Sequence, residues 1–282
     1  MNFYGLSRQS SFVSFIKTLE HNWLLHVKTT RTLKTQQTRI KSSQNFSTSC
    51  KHLTVKKRKR GPSARSNKLF QIEQDRLAMA TSKLKDQYFD YFLVLDFEAT
   101  CKENELIYPQ EIIEFPVLKI NSKTLETESV FHQYVQPRVH KDLTPFCTKL
   151  TGIIQAMVDD QPYIEDVLKS FDKWMADNNL LDENVKSLFV ICGDWDLLKM
   201  LPSQAEYFKF ETPSYFNRWL NVKKAYAEMT STYPKGMMPM LEGLEIHHQG
   251  RHHSGIDDCK NIGNILIELL KRGYMAKATG SR

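Results

Sequence analysis

Four carboxylates and one histidine, spread over three short segments in a fixed order, are the residues of this chain best suited to chemistry. Asp96 and Glu98 stand one residue apart at the end of the hydrophobic run from Tyr91. Asp196 follows Trp195 in the segment from Cys192 to Lys199. His253 lies five positions before Asp258. Alternate side chains of a strand share a face, so Asp96 and Glu98 should project together. Two neighbouring carboxylates repel unless a cation sits between them, and an all-oxygen ligand set suits Mg²⁺ or Mn²⁺ better than zinc.

Each segment also has a plainer reading. Asp96 and Glu98 could mark a solvated strand end. An acid at a helix start is often only a cap or a first-turn charge. Asp194 is the better cap of its helix, which leaves Asp196 free to bind. In the same way Asp257 is the better cap of the last helix, which leaves Asp258. His247, His248, His252 and His253 crowd together, which raises zinc as a rival, but no cysteine pair or H-E-x-x-H spacing supports it.

The elements that must hold these residues can be read from periodicity. Strands are expected at Phe92 to Phe97, Glu111 to Asn121 and Ser129 to Gln136, as an antiparallel meander, then at Ser187 to Cys192 and Trp219 to Val222. Helices are expected at Asp142 to Thr151 despite Pro145, and at Ile164 to Asn178, where Val167, Leu168, Phe171, Trp174 and Met175 share a face. Further helices are expected from Asp194 to about Tyr207, bent by Pro202, from Lys223 to Met229, and from Ile256 to Arg272, stopped by Gly273. Strands first and then strands alternating with helices give an α/β fold, a mixed sheet flanked by helices.

Charge divides the chain. The net charge is +7, yet residues 1–85 hold 18 Lys and Arg against 3 Asp and Glu, leaving the remainder at −8. Any general attraction for a polyanion therefore belongs to the extension, and the catalytic region must rely on local groups and metal ions. The sequence divides into a basic, mostly disordered extension (1–85), a catalytic domain (86–275) and a short tail (276–282). A weak amphipathic helix is expected from Phe12 to His26. The extension has two competing addresses, an acid-poor start like a mitochondrial presequence and the Lys56–Arg60 basic cluster, like a nuclear signal or a polyanion-binding patch, and a third reading is a solvated extension with no address at all. An intracellular protein of the nucleus or cytoplasm is expected, with the mitochondrion as the alternative. Five widely spaced cysteines without C-x-x-C argue against a disulfide scaffold. No run approaches the length of a membrane span, and no Walker or G-x-G-x-x-G loop is present.

In combination, D-x-E, then D, then H-x(4)-D resembles the DEDDh group of 3′→5′ exonucleases, which share an RNase H-like (DnaQ-like) fold. The wording is most like the Eri/Snipper subfamily. It is carried by Phe97–Cys101, Pro109–Pro116, Phe131–Pro137, Leu150–Ile153, Trp195-Asp196, Trp219–Val222 and Gly250–Asn261. The resemblance implies that Asp96, Glu98, Asp196 and Asp258 hold two Mg²⁺ ions, with Mn²⁺ able to substitute, and that His253 is the general base. It also implies that Glu98 and Ala99 lie against the terminal nucleotide. Phe97, Leu150, Thr151, Trp195 and Leu197 are candidates to grip its base and sugar, with core packing as their plainer reading. The expected partner is a nucleic acid 3′ end, RNA with DNA also allowed, and not a membrane. The expected product is a nucleoside 5′-monophosphate. Two rival readings are an RNA-end-binding module without turnover and a zinc-dependent hydrolase. Asp194 departs from the pattern as an extra acid that could repel substrate or cap the helix.

Overall fold

A seven-stranded mixed sheet organises the part of the chain that the computed structural model describes, residues 84–282. The expected helix at Phe12 to His26, the Lys56–Arg60 cluster and nearly all of the expected 1–85 extension lie outside the described residues. β1 (Tyr91–Leu95) pairs antiparallel with β3 (Ile112–Asn121), and β3 pairs antiparallel with β4 (Thr127–Tyr134), which is the expected meander. On its other side β1 pairs parallel with β5 (Ser187–Ile191), which pairs parallel with β6 (Arg218–Asn221). β1 is therefore central, as a strand delivering buried acids must be. Beyond a break at Asp96 and Phe97, the two-residue β2 (Glu98–Ala99) continues along β3, with Glu98 opposite Glu114.

Side-chain parity sorts the core into two layers. Phe92, Val94, Leu118, Ile120, Leu188 and Val190 face α7 (Gly255–Lys271), where Ile262, Ile265, Leu266 and Leu269 meet them. Leu93, Leu95, Phe115, Val117, Phe189 and Ile191 face α3 (Ile164–Asp177) and its Val167, Phe171 and Met175. Period-two strands buried on both faces are what helices on both sides of a sheet require. The remaining helices are α1 (Pro145–Thr151), α2 (Gln155–Val158), α4 (Leu201–Phe208), α5 (Val222–Thr230) and α6 (Met237–Gly243). No helix among the described residues is long and apolar enough to cross a membrane.

Most boundaries fall within two residues of those expected, and three differences have physical reasons. Pro145 starts α1 instead of interrupting a longer helix: its missing N–H costs nothing in the first turn, and Thr144 caps Cys147. The segment after β5 is not a helix bent at Pro202. It opens with a π-helical turn, Asp196–Met200, in which the Leu201 N–H bonds to the Asp196 carbonyl. The slip falls where Pro202 has no N–H to offer the Leu198 carbonyl. Finally, residues 276–282, expected as a short tail, lie on the sheet. Thr279 donates to the Trp219 carbonyl, and β7 (Gly280–Ser281) pairs antiparallel with β6. Gly280 is required there, because a Cβ would come within 2.2 Å of the Trp219 Nε1.

Candidate active site

Parity also places the acids. Asp96 and Glu98 continue the register of Phe92 and Val94, and Glu114 that of Leu118 and Ile120, so all three are directed at the sheet face covered by α7. That helix starts at Gly255 and brings Asp258 to them in its first turn. The approach is close. A Cβ on Gly255 would stand 2.8 Å from the Asp96 carbonyl oxygen and 3.1 Å from the Glu114 carboxylate, so only glycine lets the helix sit down on the strand.

Carboxylate oxygens of Asp96, Glu98 and Asp258 all lie within 4.8 Å of one another. Asp196 reaches the group from the π turn. Its Oδ1 accepts the Phe97 N–H at 2.9 Å, which fixes it beside the break between β1 and β2. Glu98, Asp196 and Asp258 are buried. Burial first, and then the charges of Asp196, Asp258, Glu98 and Glu114, hold the Asp96 carboxyl well above the usual carboxylate range. Burial and the charges of Asp258, Glu114 and Asp196 do the same to Glu98. Burial pushes Asp258 up to about 7, against the pull of the His253 N–H, and Asp196 up to about 6, against the Phe97 N–H. Acids this reluctant to ionise together are relieved by a cation placed among them. The Oδ1 of Asp258 is buried with no hydrogen-bond partner among the described residues, and such an oxygen suits an ion in an all-oxygen set. The residues present therefore fit hard divalent ions.

His253 sits at the helix entrance with φ at 64°, a strained left-handed conformation. Its backbone N–H donates to the Asp258 Oδ2 at 2.9 Å, which ties the histidine and the acid into one unit. Burial, with His252 and Arg251 nearby, depresses the imidazole to about 3. This differs from the ordinary value of roughly 6.5 that sequence alone suggests. The ring is a neutral acceptor throughout the neutral range.

Neither expected cap is one. Asp257 accepts the Arg251 N–H at 3.0 Å and pairs with Lys260, and so holds the preceding loop. Asp194 accepts from Trp219 Nε1 at 2.8 Å and pairs with Lys224, so this extra acid is occupied. The residue that caps α7 is Glu114, which sequence reasoning passed over. Its Oε2 accepts the Gly255 N–H at 2.9 Å, its Oε1 the Ile256 N–H at 3.3 Å, and His132 Nε2 lies 2.7 Å from Oε1. The available signal was an acid inside an otherwise apolar strand, at a position in register with the active-site face.

The nucleotide-grip candidates divide. Leu197 is fully buried among the α3-side core residues and has no surface to offer a ligand. Phe97 has the opposite parity to Asp96 and Glu98 and packs edge-on against Phe115, ring centroids 4.8 Å apart. Thr151 is buried, its hydroxyl donating to the Cys147 carbonyl and accepting from the Ile153 N–H. For these three, packing wins over ligand contact. Leu150 and Trp195 remain partly exposed, while Ala99 lies buried beside Glu98. Arg251 joins the two halves of this rim by donating to the carbonyls of Lys149 and Leu150.

The family model described as Exonuclease (RNase_T) matches residues 93–266. ERI1 exoribonuclease 3 of Homo sapiens is 59% identical over 194 residues, covering 68% of this chain and 57% of that protein. The 3'-5' exoribonuclease 1 of Homo sapiens is 38% identical over 205 residues, covering 71% of this chain and 58% of that one. The chain thus spans a little over half the length of the curated relatives it matches. Among solved structures, the nuclease domain of 3'hExo, described as a DEDDh family member bound to rAMP, superposes with a TM-score of 0.67 at 36% identity, covering 70% of this chain and all of that one. A 3'-exonuclease described in 3'-end specific recognition of the histone mRNA stem-loop gives 0.68 at 33% identity, covering 80% of this chain and 79% of that one.

Proposed function

The chain belongs to the exonuclease family, in its DEDDh, Eri-like branch with the RNase H-like fold, and from that premise we propose that it is a Mg²⁺-dependent 3′→5′ exonuclease acting on RNA, with DNA also accepted. The observation that carries the reading is the convergence of buried acids from separate segments. Asp96, Glu98 and Asp258 present oxygens within 4.8 Å of one another, and Asp196 stands beside them.

In this reading Asp96, Glu98, Asp196 and Asp258 hold two divalent ions. Such ions, when bound, activate water and stabilise the leaving 3′ oxygen. His253 takes a proton from the attacking water at a ring nitrogen. Its depressed proton affinity keeps that nitrogen free at neutral pH, while making it a weaker base than an ordinary imidazole. The His253 N–H bond to Asp258 holds the base at a fixed place relative to the acids. Glu98 and Ala99, on the short β2, lie against the terminal nucleotide, with Leu150, Trp195 and His253 around it. The substrate class, RNA 3′ ends, is supported by the names of the relatives and by the rAMP and stem-loop complexes of the structural neighbours. We assign residues 86–275 as the catalytic domain and the basic 1–85 segment as its polyanion-binding extension.

The test is a nuclease assay on 5′-labelled single-stranded RNA, single-stranded DNA, duplex and stem-loop ends. Shortening with Mg²⁺, arrest with EDTA and loss in Asp96→Ala are expected. An Asp96→Ala protein with full activity would refute the site, and binding of RNA ends without any shortening would point to a binding module.

A further inference from the structure

The histidines that crowd before α7 form a second ligand group. Ring nitrogens of His252 and His253 and a carboxylate oxygen of Asp258 lie within 4.8 Å of one another. The two rings stack with centroids 4.0 Å apart, and His248 stands beyond, its ring 6.1 Å from that of His252. Two imidazoles and one carboxylate suit a borderline transition metal, whereas Mg²⁺ prefers oxygen alone. With zinc-to-nitrogen bonds of about 2.0–2.1 Å, ligand atoms around a tetrahedral ion lie about 3.3 Å apart. The three donors lie within 4.8 Å of one another, so to surround zinc they must close and the stacked rings must turn their nitrogens toward a common point, with water as the fourth ligand.

The two ligand groups meet at one residue. The Oδ1 of Asp258, on a residue only 5% exposed, has no hydrogen-bond partner among the described residues. Asp258 belongs to both groups, the all-acid one with Asp96 and Glu98 and the histidine one with His252 and His253. One carboxylate cannot serve both fully, and an ion on the histidine side also occupies the ring nitrogen of His253.

We infer that His252, His253 and Asp258 form an inhibitory zinc site that shares Asp258 with the proposed Mg²⁺ site and, when filled, takes the histidine base out of use. The histidines are thus not the centre of a zinc hydrolase. They are a place where zinc turns the enzyme off. The inhibitory consequence rests on the function proposed above, and the binding itself does not.

The experiment uses the full chain in saturating Mg²⁺. Zinc chloride is titrated by calorimetry into the wild type and into His252→Asn and His252→Gln, two substitutions so that one misfolded variant does not decide the matter. The same titration is then followed by nuclease rate. The variants should take up one zinc fewer than the wild type and need about tenfold more zinc for half inhibition, the scale on which even outer-shell groups affect metal affinity. Equal zinc uptake by wild type and both variants overturns the site. Equal inhibition of all three shows that zinc enters through the acids and overturns the inference too. A protein without any Mg²⁺-dependent nuclease activity that still shows the zinc difference sinks the nuclease reading and leaves the zinc site standing.

Discussion

Replacing Glu114 with alanine removes a carboxylate that is 1% exposed, accepts from Gly255 N and Ile256 N, and lies 2.7 Å from the His132 Nε2. Loss of a helix cap costs about 0.5–2 kcal/mol, and each buried donor left unpaired costs about 1–3 kcal/mol. Relief of repulsion with Asp96, Glu98 and Asp258 works in the other direction, but bound Mg²⁺ already supplies that relief. With Mg²⁺ present the net loss should be about 3 kcal/mol, which in a domain of this size lowers Tm by about 6–12 °C. The effect on rate should be larger. His253, Gly255 and Asp258 are all placed by this one contact, and a displacement of about 1 Å costs on the order of 100-fold. Thermal unfolding in Mg²⁺ and kcat on a single-stranded RNA test both numbers. Glu114→Gln, which keeps one acceptor oxygen, should fall between the wild type and Glu114→Ala. If Glu114→Ala melts within about 2 °C of the wild type and keeps about half its kcat, the capping argument is wrong, because unpaired buried donors cannot cost so little.

Two more outcomes follow from the acids and the core. Asp196 and Asp258 bind protons in the folded state up to about 6 and about 7, and burial and neighbouring charge also raise Asp96 and Glu98 well above the ordinary carboxylate range. Their contribution to stability is therefore present below the ordinary carboxylate range and is lost as pH rises through those values. The depressed His252 and His253 work in the opposite sense at acid pH, so the useful quantity is Tm in Mg²⁺ minus Tm in EDTA. That difference should grow from pH 5 to pH 8, roughly the span of the shifted carboxyls, and a flat difference would mean that these acids do not hold the metal. Leu197→Ala should cost about 2–5 kcal/mol of stability as a core deletion and leave KM for RNA unchanged in the folded fraction. A raised KM with unchanged urea unfolding would restore Leu197 to the nucleotide pocket.

What the sequence made legible was whatever depends on local order. Asp96 and Glu98 could be paired by strand parity because two residues apart always means one face. Asp258 and His253 could be chosen over Asp257 and His252 by spacing within one short segment. Glu114 could not be given a role this way, since its partners Gly255 and Ile256 are more than 140 positions away in the chain. The same holds for Asp194, whose cap-like position is overridden by Trp219 and Lys224 from another strand and helix. Leu197 shows the opposite error. Its neighbour Asp196 reaches the active site, but consecutive residues of a helical turn point about 100° apart, and Leu197 goes inward to the core. The β7 pairing was hidden because a glycine and a serine carry no strand preference of their own.

The π turn at Asp196–Met200 gives the molecule an unusual kind of sensitivity. An ordinary α turn would span the same gap with one residue fewer, so the turn holds a surplus residue. Leu198 and Lys199 are both exposed, and by side-chain criteria either could be exchanged for almost anything. Neither could be deleted. Removing one would take away the extra residue of the turn and swing Asp196 by about 100° away from the Phe97 N–H. At this point the gene is constrained in reading length more tightly than in spelling: substitutions of the two exposed residues should accumulate freely, while a single lost codon would turn Asp196 away from the other acids and Leu197 out of the core.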